Sequence, residues 1–138
     1  MLDVLDAVTD STTAVVQTAA SRLGPARLKT WVQLTGIFDA IHGQLQLYVN
    51  GGDGRTAGNG LPAGSTPPGS VRPWAAPAIG AFRLGSAFQN GLTQAWRGRL
   101  TDVCAFFGPV PSADVKLLYS GNAANPHNGC AALDAKYP

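Results

Sequence analysis

The stretch TWVQLTGIFDAIHGQLQLYVNG, residues 30–51, decides the reading of this chain. From Trp31 to Phe38, Val32, Leu34 and Phe38 fall on one side while Gln33 and Thr35 fall on the other. This period of two marks a strand with one buried face. A short turn over DAIHG follows. The alternation resumes from Gln44 to Asn50, with Leu45, Leu47 and Val49 on one face and Gln44, Gln46, Tyr48 and Asn50 on the other. The two runs predict an antiparallel hairpin with one face on a core, and Asp39, like Asp102 further along, is expected to accept backbone or side-chain hydrogen bonds at a strand end.

Outward from the hairpin the pattern changes. Residues 51–78, beginning GGDGRTAGNG, are so rich in Gly and Pro that they cannot sustain a ladder, and they predict a long loop with one short strand near Val71. Loops of this length are usually either functional or disordered. Strands are expected again at AFRLGSA (81–87) and AWRGRLTDVCAFFG (95–108). In SADVKLLYSG, Ser112 is positioned to cap a helix of about two turns with Val115, Leu118 and Tyr119 at helical spacing, ending at Gly121. Upstream, the alanines of the first 24 residues are compatible with a helix. The Thr and Val content favours two strands, LDVLDAV (2–8) and TAVVQTAA (13–20), separated by TDST.

A chain of 138 residues with 45% apolar content can supply one hydrophobic core, so a single globular unit is expected. Its 17 Gly and 10 Pro, with only 13% charged residues, favour an all-β protein over a helical bundle. Ten basic and eight acidic residues are scattered along the chain and leave a net charge of +2, so no basic face is offered to a nucleic acid backbone. No apolar run approaches the roughly 20 residues that span a bilayer. The acidic opening MLDVLD lacks the basic region and apolar segment of a secretory signal. Cys104 and Cys130 form neither a C-x-x-C pair nor a zinc-like set with His, which leaves two readings, a pair of buried thiols or one disulfide.

The ordered set of Trp31, Gly36, Asp39, Gly43, Leu45, Leu47, Tyr48, Val49, Asn50 and Gly51, then Leu84 and Gly85, then Trp96, Gly98, Asp102 and Val103, then the Ser112 to Tyr119 turn, resembles the laminin G-like domains. These domains have the concanavalin A-like jelly roll, and the likeness is to the form common in secreted bacterial proteins. It covers about residues 14–121, and the order of elements is more specific than any single motif. The resemblance implies an all-β, antiparallel β-sandwich over residues 1–121 with a short C-terminal helical turn, followed by an extension over 122–138. It also implies an extracellular or cell-surface setting, and a variable loop at the sheet rim near a ligand face. Two departures matter. Strands that family members carry before this point are missing, so the expectation is a piece of a longer protein, or a homo-oligomer or partner chain that completes the sheets. Cys104 stands at what is usually an outward polar position, which suits a bridge to Cys130 that straps the tail to the outer face of that strand.

Catalysis has little to stand on. The chain has no Glu, so a glycosidase pair would need two converging Asp, and neither an E-x-D-x-E run nor a G-x-S-x-G elbow is present. His42 and His127 read as solvated loop residues. The expectation is a protein that is not an enzyme. Calcium is the one cofactor the resemblance brings in, with Asp53, Asn50 and Asn59 as ligands in the glycine-rich loop, although turn chemistry alone places Asn and Asp beside Gly. Trp31 and Trp96 are expected to pack at strand starts. Trp74 in VRPWAAP either tucks back onto the sandwich or, if a carbohydrate site exists, stacks on a sugar with Arg72, Gln89, Asn90 and Gln94 as polar companions. The implied function is a non-catalytic recognition module for carbohydrate or a protein surface. The other reading is an assembly subunit of a surface appendage, filament or phage particle.

Overall fold

The computed structural model describes residues 2–6, 15–21, 29–71, 86–89, 92–95, 98–106, 108, 110–124, 130–134 and 136–137. The two upstream strands form as expected, β1 over Leu2–Asp6 and β2 over Val15–Ala19, paired antiparallel with Val4 opposite Gln17. The hairpin follows as β3, Leu34–Asp39, and β4, Gln44–Val49, with Phe38 opposite Leu45 and Thr35 opposite Tyr48. Downstream of the glycine-rich loop, Gly64–Ser65 returns as β5 against Gln46 and Leu47, which makes a three-stranded antiparallel sheet in the order β3-β4-β5. A separate hairpin pairs β6, Ser86–Gln89, with β7, Leu92–Ala95. The described residues are mainly β. Helix α1 spans Ser112–Ala124, and a single turn, α2, spans Ala131–Asp134.

The hairpin buries both of its faces, where the alternation predicts one. On the expected face, Leu45 (0% exposed) and Leu47 pack with Ala19 of β2, with Val71 and with Phe38. On the other face, Ile37 and Tyr48 pack with Val115 of α1 and with Val110. Register explains the division, because residues opposite one another in a ladder share a face and successive residues do not. Tyr48 tolerates this position because its ring supplies apolar area while its hydroxyl is satisfied by Gln46 Oε1 at 2.9 Å. Gln46 in turn donates to Gln44 Oε1 at 3.0 Å, and Gln44 donates to the carbonyl of Thr66 at 2.8 Å. The polar residues that read as a solvated face form a ladder of side chains along β4.

Several expectations are corrected. Trp31 does not pack at a strand start but is 64% exposed, because pairing begins later, with Gln33 and Asn50 exchanging the last bonds of the ladder. Val71 is buried and donates its N–H to the Gly43 carbonyl, yet the short strand lies at Gly64–Ser65. There the backbone of Gly64 lies so close to the Ala20 carbonyl that a Cβ would collide with it. Of the expected strand over 81–87, Ser86 and Ala87 lie in β6, and residues 81–85 lie outside the described residues. Of the expected strand over 95–108, Ala95 ends β7 and the described residues after it form no strand. Gly98–Phe106 is irregular, Asp102 adopts φ 55°, and Leu100 and Val103 are exposed. Helix α1 runs through Gly121, since a glycine in a helix interior costs only about 1 kcal/mol and AsnAlaAla follows it. Its cap is Pro111, whose carbonyl accepts from Asp114 and Val115; Ser112 is the first helical residue.

Cys104 and Cys130 form a disulfide with a Cα–Cα separation of 5.7 Å, as the resemblance implies. The bridge straps the tail to an irregular segment instead of a strand. The tail is fastened a second time. Leu133 is buried, and Lys136 Nζ and the Tyr137 hydroxyl both donate to Asp114 Oδ2, at 2.6 and 2.7 Å. The Tyr137 ring also packs against Phe106, 5.8 Å between centroids. No described helix is long and apolar enough to cross a membrane.

A candidate binding groove beside the glycine-rich loop

The loop between β4 and β5 is built by side chains that replace missing backbone partners. At its start Val49 and Gly52 exchange N–H···O bonds, and Asn50 turns the chain at φ 52°. Asn50 Oδ1 accepts from the Gln33 N–H, so this residue ties the loop to the strand entry. Asp53 Oδ1 accepts from the N–H groups of Arg55 and Thr56, both at 2.9 Å, an Asx turn that closes the loop tip. Asn59 Oδ1 accepts from Asp53 N–H at 3.1 Å and Leu61 N–H at 3.0 Å, which pins the two sides of the loop together. Gly51 is needed for two reasons. It holds φ 66°, and a Cβ there would run into the Tyr119 side chain of α1. The loop is therefore wedged beneath the helix, not free at a rim.

Between the loop tip and the returning segment lies a groove of about 290 Å³ lined by Asp53, Arg55, Leu61, Pro62, Ala63 and Ser65. Leu61 is 60% exposed and Arg55 is exposed, so an apolar side chain and a guanidinium both face solvent there. The N–H groups of Thr56 and Arg55 beside Asp53 hold its carboxyl below the ordinary carboxylate range, so it carries its charge throughout the neutral range. Its Oδ1 is held by two N–H groups and the Asn59 side chain also bonds the carboxyl, so the charge stands fixed in the groove lining. A groove of this kind can offer an anionic acceptor, a cationic donor and an apolar contact to one small polar molecule.

Of the predicted residues, Asp53 and Asn59 are brought together and Asn50 is turned toward Gln33. The Oδ1 atoms of all three accept backbone N–H bonds. Among the described residues no group of three His, Cys, Asp or Glu side chains stands close enough to hold a metal ion. Gln89 ends β6 opposite Leu92, and Gln94 lies on β7 opposite Ala87. Arg72, Trp74, Asn90, Trp96 and His127 lie outside the described residues. His42 is exposed in the hairpin turn, as expected, but bonded: its Nδ1 lies 2.6 Å from Asp39 Oδ2, while Asp39 Oδ1 accepts from the N–H groups of Ile41 and His42. The role expected of Asp39 is the one it has. Sequence reasoning missed Arg55 and Leu61; the available signal was an Arg and a Leu interrupting a run of small turn residues. Set against protein-family models, curated proteins and solved structures, the chain finds no match in any of the three.

Proposed function

We propose that this chain is a non-catalytic recognition module that binds carbohydrate through the groove beside the glycine-rich loop, in keeping with its resemblance to laminin G-like domains. The observation that carries the reading is the lining of the groove, with Asp53 and Arg55 beside the exposed Leu61 and Pro62. A sugar presents hydroxyls around its rim and C–H groups on its faces, so it requires polar partners and an apolar surface side by side. A carboxylate and a guanidinium supply acceptor and donor; Leu61 and Pro62 supply the apolar contact. The two-layer sandwich of the laminin G-like fold belongs to this proposal, as does an extracellular setting, where a bridge such as Cys104–Cys130 persists.

The test is a glycan array followed by calorimetry, with wild type compared with Arg55→Ala, Leu61→Ser and Asp53→Asn. The last of these keeps an Oδ1 for the Asx turn. The expected outcome is selective binding weakened about tenfold or more by each change, on the order of one charge-assisted hydrogen bond. Binding indifferent to all three changes, or none across the array, overturns the reading. Release of a sugar from any bound glycan would overturn the non-catalytic part. Calcium is an arm of the same experiment, added or chelated, because Asp53 lines the groove.

The second reading, an assembly subunit, is favoured by one specific observation. Among the described residues β3 is an edge strand, and Trp31, Leu34 and Ile41 on and beside it are 64%, 51% and 82% exposed. Light scattering over a dilution series separates the two, since an assembly subunit stays associated and a lone module does not.

A further inference from the structure

We propose that Asp114 is the pin of an acid-released latch: when its carboxylate is protonated, α2 and residues 136–137 lift from the first turn of α1, while the Cys104–Cys130 bond keeps them tethered. The inference rests on how the tail is fastened. Both polar side chains at its end, Lys136 and Tyr137, converge on one oxygen, Oδ2 of Asp114, at 2.6 and 2.7 Å. Asp114 is only 7% exposed, so no solvent shell replaces those donors while the tail is seated. A carboxylate accepts two such bonds readily, whereas a protonated carboxyl loses the ionic attraction to Lys136 and one of its strong acceptor sites.

The groups around the pin set how acidic the solution must be before it lets go. From the tail, Lys136 and Tyr137 hold the Asp114 carboxyl below its ordinary range. On α1 itself the nearest charge is Lys116, and the sheet beneath contributes Tyr48, packed on Val115 as a neutral phenol. The segment that carries Cys104 adds Arg99 and Asp102. Protonating Asp114 leaves Lys136 without its counter-ion and frees the tail at that end. What then opens is apolar, because Leu133 is 1% exposed when seated. The bridge at Cys130 is indifferent to acid, so the tail swings on one covalent hinge.

Three tail amides report the seated state: Leu133 donates to Cys130, and Lys136 and Tyr137 both donate to Leu133. Hydrogen exchange of the oxidised full chain from pH 7 to pH 2, expressed as protection factors corrected for intrinsic exchange, reads them against the β3–β4 amides. Tail protection is expected to fall by about tenfold or more in acid while the sheet amides keep theirs. Asp114→Asn is expected to show the acid behaviour already at pH 7. If that variant fails to fold, the double change Lys136→Met with Tyr137→Phe, which keeps Asp114, is expected to lower tail protection at pH 7 and abolish its further fall in acid. Tail and sheet losing protection together, or a tail as protected in the variants as in wild type, overturns the latch.

Discussion

Around Leu45 the chain is held by apolar side chains on both faces of a hairpin and by backbone bonds that run through β3, β4 and β5. Around Asp114 the tail is held by one carboxylate and one disulfide, with Leu133 and the Tyr137 ring against Phe106 as its apolar contacts. The first kind of attachment is insensitive to protons and reductants, and the second responds to both. A protein that seats its tail this way separates a permanent framework from a conditional attachment, and substitutions in the two regions are expected to behave differently.

The sharpest test is Leu45→Ala. Its side chain is completely buried, so deletion should cost about 2 to 5 kcal/mol in denaturant unfolding. A loss below 1 kcal/mol would mean that the framework is not where the packing puts it. Next is Cys104→Ser with Cys130→Ser. The bridged residues are 26 apart, and removing the bond is expected to cost about 3 kcal/mol on the chain-entropy account. The same change should leave protection of the β3–β4 amides in native-state exchange intact relative to global unfolding. Tyr48→Phe removes a single hydroxyl bond to Gln46 within the framework and should cost about 0.5 to 1.5 kcal/mol.

The smallest expected effect is the pH dependence of the surface turns. Asp39 is held below its ordinary range first by the His42 side chain, and Asp53 by the N–H groups of Thr56 and Arg55. A carboxyl lowered in the folded chain contributes stability that is present above its unfolded pKa, near 3.9, and lost as pH falls through the folded value. Asp39→Asn should therefore flatten the acid limb of the stability curve slightly and leave the neutral region little changed. Tyr48 behaves oppositely. Burial raises its phenol, so its contribution is complete below about pH 10 and lost as pH rises through the folded value.

The hairpin was legible because its period of two and its turn are local signals, and both the turn at DAIHG and the strand limits near Asp39 and Gln44 follow from them. That Ile37 and Tyr48 are also buried was not legible. Their cover comes from Val115, nearly seventy residues away, and alternation along one strand carries no information about a distant helix. The start of α1 was readable to within one residue from Ser112 and the apolar spacing that follows. Its end was misread because Gly121 looks like a stop, although tertiary packing readily outweighs a propensity of that size. At the groove, Asp53 in the lining and Asn59 in the loop behind it were visible as polar residues among glycines. Arg55 and Leu61 were not, because their joint position depends on how the loop folds back, which Asx bonds and the wedge beneath Tyr119 determine. The contact of Lys136 and Tyr137 with Asp114 depends equally on the path of the tail after Cys130.

The loop that frames the groove is anchored at both ends by contacts that admit no side chain, Gly51 beneath Tyr119 and Gly64 against the Ala20 carbonyl. Between them, Arg55, Thr56 and Ala57 stand exposed at the tip, on a turn fixed by Asp53 and Asn59. That division makes the loop a ready display scaffold. A combinatorial library confined to those three positions would vary the presented surface while the anchors keep its backbone in register, so affinities selected from it would report side-chain chemistry and not changes of loop shape.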